Sequence, residues 1–241
     1  MTQTEPIPET SVEPAASPPP TRSKGILHDL YIFLARRPAI PTLMEARDPD
    51  VLDDYTQRIR QRIGISVAEY AVLNVHRIGI EAPVELVFEE LLTWHDASVW
   101  WPNHLASIHR VNGDLEHIRM LLFGTWGSSI RIFSLNAMRI QRSPGPTDFD
   151  NARYVLYKTS GGYPLGVFGM YARSRIADRE EKERAQLFFV VSFNFYGKKD
   201  WPHRRVINPL WEWVHNRATG NILNRFKQLC EWRFAQLQKG L

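Results

Sequence analysis

Apolar and polar residues alternate along much of the chain after residue 70. The run 168–176 is the clearest example, because Phe168 and Met170 fall on one face while Arg173 and Arg175 fall on the other. A period of two is typical of a strand with one buried and one solvent-exposed face. Similar runs bounded by turn residues predict seven strands, at about 70–80, 105–111, 116–123, 128–141, 153–160, 166–177 and 185–196.

A period near 3.6 residues predicts helices in the remaining regular segments. The predicted helices are 25–37, about 48–63, 83–93 and 209–237. Asn208 is the expected N-cap of the last helix, with Pro209 at its first position, and this helix would be ~43 Å long. The order of one strand, one helix, six strands and a long helix predicts an antiparallel α+β fold. It excludes a doubly wound parallel sheet, in which successive strands need crossover helices.

Composition and charge restrict the class of protein. The 241 residues are 44% hydrophobic and 23% charged, which is typical of a soluble globular protein. No uninterrupted apolar run reaches the ~20 residues of a membrane-spanning helix. The single cysteine, Cys230, excludes an intrachain disulfide framework and a multi-cysteine zinc site. No secretory leader is recognisable after Met1, so the expected location is cytoplasmic, with membrane-peripheral contact as an option.

The chain divides into three parts by pattern. Residues 1–24 are rich in proline and are predicted to be a disordered tail. Residues 25–69 are predicted to be an N-terminal helical extension that packs on the outside of the main domain. Residues 70–241 hold all seven predicted strands and form the main domain.

Two segments of the main domain resemble a known superfamily. They are IEAPVELVFEELLTWHDASVWWP, residues 80–102, and NPLWEWVHNRATGNILNRFKQLCEW, residues 208–232. With the strands between them, they make residues 70–238 similar to the START-like, SRPBCC superfamily of lipid-transfer domains, plant pathogenesis-related ligand binders and polyketide aromatase/cyclases. The resemblance implies a helix-grip fold: a curved antiparallel sheet of about seven strands wrapped around a long C-terminal helix. It also implies that 70–241 is a ligand-binding domain.

A curved sheet cannot contact a straight helix along its whole length, so the gap must be filled by side chains or by a ligand. The candidate ligand-binding residues are mostly aromatic, and for each of them ordinary core packing is the alternative. They are Trp101, Phe123, Phe133, Tyr157, Phe168, Met170, Phe193, Trp211, His215 and Phe226. The loops 94–104 and 160–166 are expected to control the mouth of the cavity.

His215 is the most informative polar residue, because it lies in the apolar stripe of the last helix. In a cavity it can bind a ligand carbonyl, hydroxyl or carboxylate, and His215 or Tyr157 can serve as a weak candidate acid or base. The alternative is a core histidine whose partner is a backbone carbonyl or a neighbouring asparagine. Ser192 and Asn194 share a polar face of the last strand, and the alternation favours the solvent side for them.

Other chemistries have little support in the sequence. The spacings of His95, His104, His109 and His117 match no metal-binding motif, and no cofactor is expected. The glycine-rich run 161–169 joins two strands and lacks the helix that a phosphate cradle needs, so it predicts a β-hairpin.

The formal net charge is +4, and the basic residues of the last helix are scattered around it. They form no stripe of the kind that binds nucleic acid, and no nucleic-acid partner is expected. Arg204 and Arg205 beside Trp201 form a small basic and aromatic patch. This patch is suited to peripheral contact with phospholipid headgroups, or is simply solvated.

Three functions remain open on this basis. The first is the binding or transfer of a hydrophobic small molecule (lipid, polyketide or quinone-like) in the cavity. The second is an aromatase/cyclase- or dehydratase-type enzyme that uses the same cavity. No convincing acid/base pair is found, which favours the non-catalytic binding protein. The third is a domain without a cavity that contacts another protein through its N-terminal helices.

Overall fold

The computed structural model describes residues 31, 43–44, 49–92, 106–111, 114–122, 133–142, 151–162, 165–175, 184–194, 200 and 202–240. For the described residues between 106 and 142, the structure describes the backbone alone. The bounds of the helices are α1 Pro49–Ile63, α2 Val84–Leu92 and α3 Arg204–Gln238. Those of the strands are β1 Leu43–Met44, β2 Val72–Ile80, β3 Ala106–Val111, β4 Asp114–Leu122, β5 Phe133–Arg142, β6 Arg153–Gly162, β7 Leu165–Arg175 and β8 Arg184–Asn194.

The strands form one antiparallel sheet in the order β1-β2-β8-β7-β6-β5-β4-β3. Strands β3 to β8 follow one another as a meander, and β2 pairs with β8, so that α2 lies in the connection from β2 to the far edge. The predicted antiparallel α+β fold with a long C-terminal helix is therefore confirmed. Within the described residues the sheet has eight strands rather than about seven, because the two-residue β1 adds to the predicted set.

The register assigns each side chain to one of two faces, since directly paired residues point to the same side. On the inner face, His76 of β2 is opposite Phe189 of β8, and Ile78 is opposite Leu187. Helices α2 and α3 cover this face with apolar residues, among them Phe88 and Phe226. The inner face therefore holds the larger core.

The outer face of the sheet is also covered, by α1 and the turn that follows it. Ile59, Ile63 and Val67 pack against Val75 and Val190 in a second core. The apolar residues of α1 fall at helical spacing on the side that meets the sheet, which accounts for this docking. The helix predicted at 48–63 thus lies against the strands that carry the inner core.

Ser192 and Asn194 point to the outer face, as the alternation predicts, but they are buried instead of solvated. The Ser192 hydroxyl donates to the Val72 carbonyl oxygen at 3.0 Å. The Asn194 amide accepts from the Ala71 N–H at 2.7 Å and donates to the Glu69 carbonyl oxygen at 3.1 Å. The chain before β2 passes over these side chains, which is why they contact backbone instead of water.

Helix α3 begins at Arg204, earlier than the proline pattern predicts. His203 adopts a left-handed conformation with φ 67°, and its carbonyl oxygen accepts the N–H groups of Val206 and Ile207 at 3.0 Å each. Pro209 therefore lies inside the helix and removes the donor that would bond to the Arg205 carbonyl. Because this first part of α3 is exposed, water can bind that carbonyl at small cost.

Polar contacts fix the C-terminal half of α3 to the inner side of the sheet. Lys227 donates to the Gly79 carbonyl oxygen at 2.7 Å and pairs with Glu231 at 2.7 Å. The same Glu231 carboxylate accepts the N–H of Glu81 at 2.9 Å. Arg233 pairs with the buried Glu90 of α2. These contacts hold the helix in register with β2.

Candidate functional site

The C-terminal half of α3 is packed closely against the inner face of the sheet. Phe226 is 1% exposed and lies in one buried cluster with Tyr157, Phe168 and Met170. The Tyr157 ring stacks on Phe168 with their centroids 4.9 Å apart. Burial raises the pKa of the Cys230 thiol well above its usual value, so this cysteine is protonated and packs as an apolar side chain. Four of the sequence-predicted residues therefore meet here as packed core.

The N-terminal half of α3 meets the sheet differently, through aromatic and imidazole rings. The His215 ring lies 5.4 Å from the ring of His76, 6.2 Å from Trp211 and 6.4 Å from Phe189, between ring centroids. The Trp211 indole in turn meets Phe193 edge-on at 5.7 Å. These five residues, His76, Phe189, Phe193, Trp211 and His215, are called the histidine cluster below.

The histidine cluster contains buried polar atoms whose partners the described residues do not supply. His76 is 0% exposed, and neither of its ring nitrogens has a hydrogen-bond partner in the described part of the chain. The same holds for the side-chain nitrogen of Asn74, which precedes His76 on the same face, and for Nδ1 of His215. Nε2 of His215 lies 3.5 Å from the Thr219 hydroxyl.

Such orphaned atoms are unusual, because more than about 90% of buried polar groups in folded proteins are hydrogen-bonded. Leaving one unsatisfied costs about 1–3 kcal/mol. The cluster is therefore suited to a partner that brings its own donors and acceptors.

Both histidines are neutral at physiological pH. Burial lowers the pKa of His76 to about 2, and the neighbouring His215 adds to this effect. Burial also lowers the pKa of His215 to about 4, and the neighbouring Asn216 side chain opposes this effect only in part. Each neutral imidazole offers one donor and one acceptor. An efficient general base has a pKa near the working pH, so these values favour hydrogen bonding to a ligand over proton transfer.

The inner face is not completely closed beside the histidine cluster. On β8, Leu187 and Phe193 are 0% and 2% exposed, whereas Phe189 and Val191 between them keep partly accessible surface although they point inward. Trp211 and His215 on the facing helix are also partly exposed, although Nδ1 of His215 is enclosed. The sheet and the N-terminal half of α3 therefore leave accessible apolar surface between them.

Beside the four residues of the packed core, the other six sequence-predicted site residues fall into three groups. Phe193, Trp211 and His215 belong to the histidine cluster, and Phe189 links it to the packed core through a 6.2 Å contact with Phe168. Phe133 is described by its backbone, at the start of β5 opposite Leu122. Trp101, Phe123 and the loop 94–104 lie outside the described residues, as do His95 and His104.

His76 and Asn74 were missed by the sequence analysis. The signal was present in the sequence. Asn74 and His76 lie on the same face of β2 as Ile78 and Ile80, and the other residues on that face are apolar. Two polar residues on the inner face of such a strand mark either a hydrogen-bonded core or a binding site.

The described residues contain no group of three or more His, Cys, Asp and Glu side chains placed to hold a metal ion. In the same part of the chain, no helix combines the length and hydrophobicity that crossing a membrane requires.

Comparison with known proteins gives a fold likeness at low identity. No family model and no curated protein sequence matches the chain. A conserved protein from Geobacillus kaustophilus is 15% identical with a TM-score of 0.39, over 66% of this chain and 95% of that one. Norcoclaurine synthase from Thalictrum flavum, solved with dopamine and hydroxybenzaldehyde, is 10% identical with a TM-score of 0.41, over 66% of this chain and 85% of that one. Neither likeness bears on what this chain binds.

Proposed function

We propose that this chain is a START-like, SRPBCC-type helix-grip protein that binds or transfers a hydrophobic small molecule, such as a lipid, a polyketide or a quinone-like compound. The ligand would lie between the sheet and the N-terminal half of α3. The observation that carries the proposal is His76, a fully buried imidazole with both nitrogens unpartnered among the described residues, beside inward-facing rings that remain accessible.

The chemistry of the histidine cluster is that of a ligand site. Small-molecule sites are lined mainly by apolar and aromatic side chains, with a few polar groups that orient the ligand. Here Phe189, Phe193 and Trp211 supply apolar surface, and neutral His76 and His215 supply directed hydrogen bonds. Burying ~300 Å² of ligand surface would contribute about 7 kcal/mol before ordering costs, so apolar contact alone would give roughly micromolar binding at best.

The test is to identify what the protein carries. Gently purified protein is examined by native mass spectrometry, and its organic extract is analysed for lipids, polyketides and quinones. We expect a bound apolar molecule with a carbonyl or hydroxyl group in wild type, and its loss in His76→Phe. His203→Asn is the control, because His203 is exposed and Asn tolerates its left-handed backbone. An empty protein that also binds no member of lipid and polyketide panels would overturn the proposal.

The enzyme alternative, an aromatase/cyclase- or dehydratase-type reaction, assigns His215 or Tyr157 as acid or base. The lowered pKa of His215 makes it a weak base at neutral pH, and Tyr157 is stacked in the packed core. If the extracted compound is converted by wild type, and if His215→Ala abolishes conversion while binding persists, the enzyme would replace the carrier as the assignment.

We also propose that the first turns of α3 attach the protein to an anionic membrane surface. Val206, Leu210 and Trp213 follow one another at helical spacing on one face and are 68%, 57% and 45% exposed. Arg205 is exposed beside them, and the Arg217 guanidinium lies over the Trp213 ring at 4.9 Å. An apolar helix face with tryptophan and flanking arginines complements the apolar interior and anionic headgroups of a bilayer.

Vesicle co-sedimentation tests this attachment. We expect binding to phosphatidylcholine vesicles that contain phosphatidylserine, weaker binding to phosphatidylcholine alone, and loss of binding in the double variant Leu210→Ser/Trp213→Ser. Leu237→Ser is the matched control, because Leu237 is 58% exposed at the opposite end of α3. Equal loss in the control, or self-association of wild type through this face in place of vesicle binding, would overturn the membrane assignment.

A further inference from the structure

A cavity lies on the outer face of the sheet, on the side opposite the histidine cluster. It has a volume of about 130 Å³, is partly open to solvent, and lies between α1 on one side and β2, β7 and β8 on the other. Its floor is apolar and buried, and is formed by Ile59, Ile63, Val75, Tyr171 and Val190. A cavity of about 150 Å³ accommodates benzene, so this one is large enough for a small organic molecule.

Four arginines line this cavity, and the described residues of its lining include no Asp or Glu. Arg58 and Arg62 come from α1, Arg77 from β2 and Arg173 from β7. These four residues with the floor are called the arginine pocket below. Its guanidinium groups converge from three elements that are distant in sequence, so helical or strand periodicity alone does not explain their meeting.

Two of these positive charges, those of Arg62 and Arg77, have no carboxylate partner among the described residues. Arg58, by contrast, pairs with Asp54 at 2.8 Å, one turn earlier on α1. Within the part of the chain that the structure describes, the charges of Arg62 and Arg77 are therefore not neutralised at the cavity.

Neutral groups hold two of the arginines in place. Arg62 donates to the Tyr171 hydroxyl at 3.1 Å and lies over the same ring at 5.4 Å. Arg173 donates through two nitrogens to the side-chain oxygen of Gln186, at 3.0 and 2.7 Å, and lies over Phe188 at 5.5 Å. The Tyr171 hydroxyl orients the Arg62 guanidinium without cancelling its charge, which preorganises it for an incoming anion.

We propose that the arginine pocket binds a small organic anion, with a phosphate or carboxylate group held by the arginines and an apolar body on the buried floor. The planar guanidinium fork matches both kinds of oxyanion, and the buried apolar floor suits the body of the ligand. The site lies on the opposite face of the sheet from the histidine cluster. It is thus independent of the proposed hydrophobic ligand.

Isothermal titration calorimetry with defined probes tests this site on the full chain. The probes are phenyl phosphate, benzoate, inorganic phosphate and neutral phenol. We expect phenyl phosphate or benzoate to bind more tightly than inorganic phosphate and phenol, with an affinity that falls as salt is raised. If phenol binds as tightly as phenyl phosphate, the proposal that the arginines bind an anionic group is wrong. If inorganic phosphate binds as tightly as phenyl phosphate, the proposal that the floor binds an apolar body is wrong.

Variants locate the binding. Arg77→Gln removes an exposed guanidinium without a partner among the described residues, and Arg62→Gln removes the one held by Tyr171. We expect each to weaken binding by about 10- to 100-fold, the loss of one charge-assisted hydrogen bond. Arg60→Gln is the matched control, because Arg60 is exposed on α1 and does not line the cavity. The proposal is wrong if Arg60→Gln weakens binding as much as Arg77→Gln, or if Arg77→Gln has no effect. Either result decides the question even if Arg62→Gln impairs folding.

Discussion

At the scale of single residues, several buried polar atoms on the inner face have no hydrogen-bond partner among the described residues. Asn74, His76 and His215 all contribute such atoms, and all three point into the same part of the core. A protein that needed only a stable core would be served better by apolar side chains at these positions, because each unsatisfied polar group lowers stability. Under the proposed function, these are the atoms that would pair with the ligand, so their cost in stability would be offset by binding.

Substitution of His76 separates stability from binding. His76→Phe replaces a buried imidazole without partners by an apolar ring, so we expect the free energy of unfolding to rise by about 1 kcal/mol and the Tm by about 2–4 °C. Differential scanning calorimetry of ligand-free protein measures this change, with His203→Asn as the unchanged control. A fall of several degrees would show that His76 has a structural hydrogen-bond partner beyond the described residues.

The same histidines make stability depend on pH. Their pKa values in the folded chain, about 2 for His76 and about 4 for His215, lie below the ordinary 6.5, so the unfolded state binds more protons at mildly acidic pH. The two neutral imidazoles contribute fully to the free energy of unfolding above pH ~6.5. This contribution is lost progressively as the pH falls below that value. We expect a loss of about 1–2 kcal/mol for each histidine between about pH 7 and pH 5, measured by urea unfolding. The double variant His76→Phe/His215→Phe should lose correspondingly less; an equal loss would show that the imidazoles are not buried as neutral groups.

The sequence pattern identified His215 as a candidate site residue but not His76. His215 stands out because it interrupts an apolar stripe on a helix, whereas His76 sits in a strand whose pattern is otherwise that of ordinary core. Alternation shows which face His76 occupies. It does not show that α3 brings His215 to that face, because this contact is made by packing between distant elements.

At the scale of elements, the pattern of apolar and polar residues predicted the strands and helices correctly wherever one period continued over many residues. Strands β2 to β8 each carry enough alternating residues to be recognised, and α1 and α2 begin and end close to their predicted bounds. The two-residue β1 is too short to show any period, and it depends on pairing with β2. The start of α3 was placed too late because a proline inside a helix resembles a proline at its first position.

Two glycines in the sheet give a matched test of how the strands pack. A Cβ built on Gly166 of β7 would lie 2.2 Å from the Ser192 carbonyl oxygen and 2.5 Å from the Phe193 Cβ, while one on Gly79 of β2 would meet nothing within 4 Å. We expect Gly166→Ala to destabilise the protein by about 1–3 kcal/mol, because the backbone of β8 cannot withdraw. Gly79→Ala should be neutral or slightly stabilising. Chemical unfolding of both variants measures the difference, and equal effects would contradict the close approach of β7 to β8.

At the scale of the whole molecule, one sheet carries a core on each face. The inner core is covered by α2 and α3 and the outer one by α1, and both include residues of β2, β6, β7 and β8. The two proposed binding sites, the histidine cluster and the arginine pocket, lie on opposite faces of this sheet.

The shared sheet also predicts that α1 unfolds together with the main domain, although the sequence suggests an appended extension. Ile63 is 4% exposed at the end of α1, against the outer face. We expect Ile63→Ala to lower the global free energy of unfolding by about 2–4 kcal/mol, because it opens a cavity in a core continuous with the sheet. Val51→Ala, at a position 37% exposed in the first turn of α1, should change it by less than about 0.5 kcal/mol.

Hydrogen exchange distinguishes this cooperative unfolding from local detachment of α1. If the helix belongs to the fold, Ile63→Ala will speed exchange of the slowest amides in β2 and β8 as well as those in α1. If α1 is an appendage, only its own amides will exchange faster and the sheet will keep its protection. The second result would also remove the wall of the arginine pocket, since Arg58 and Arg62 come from α1. The anion site therefore depends on α1 being a permanent part of the fold.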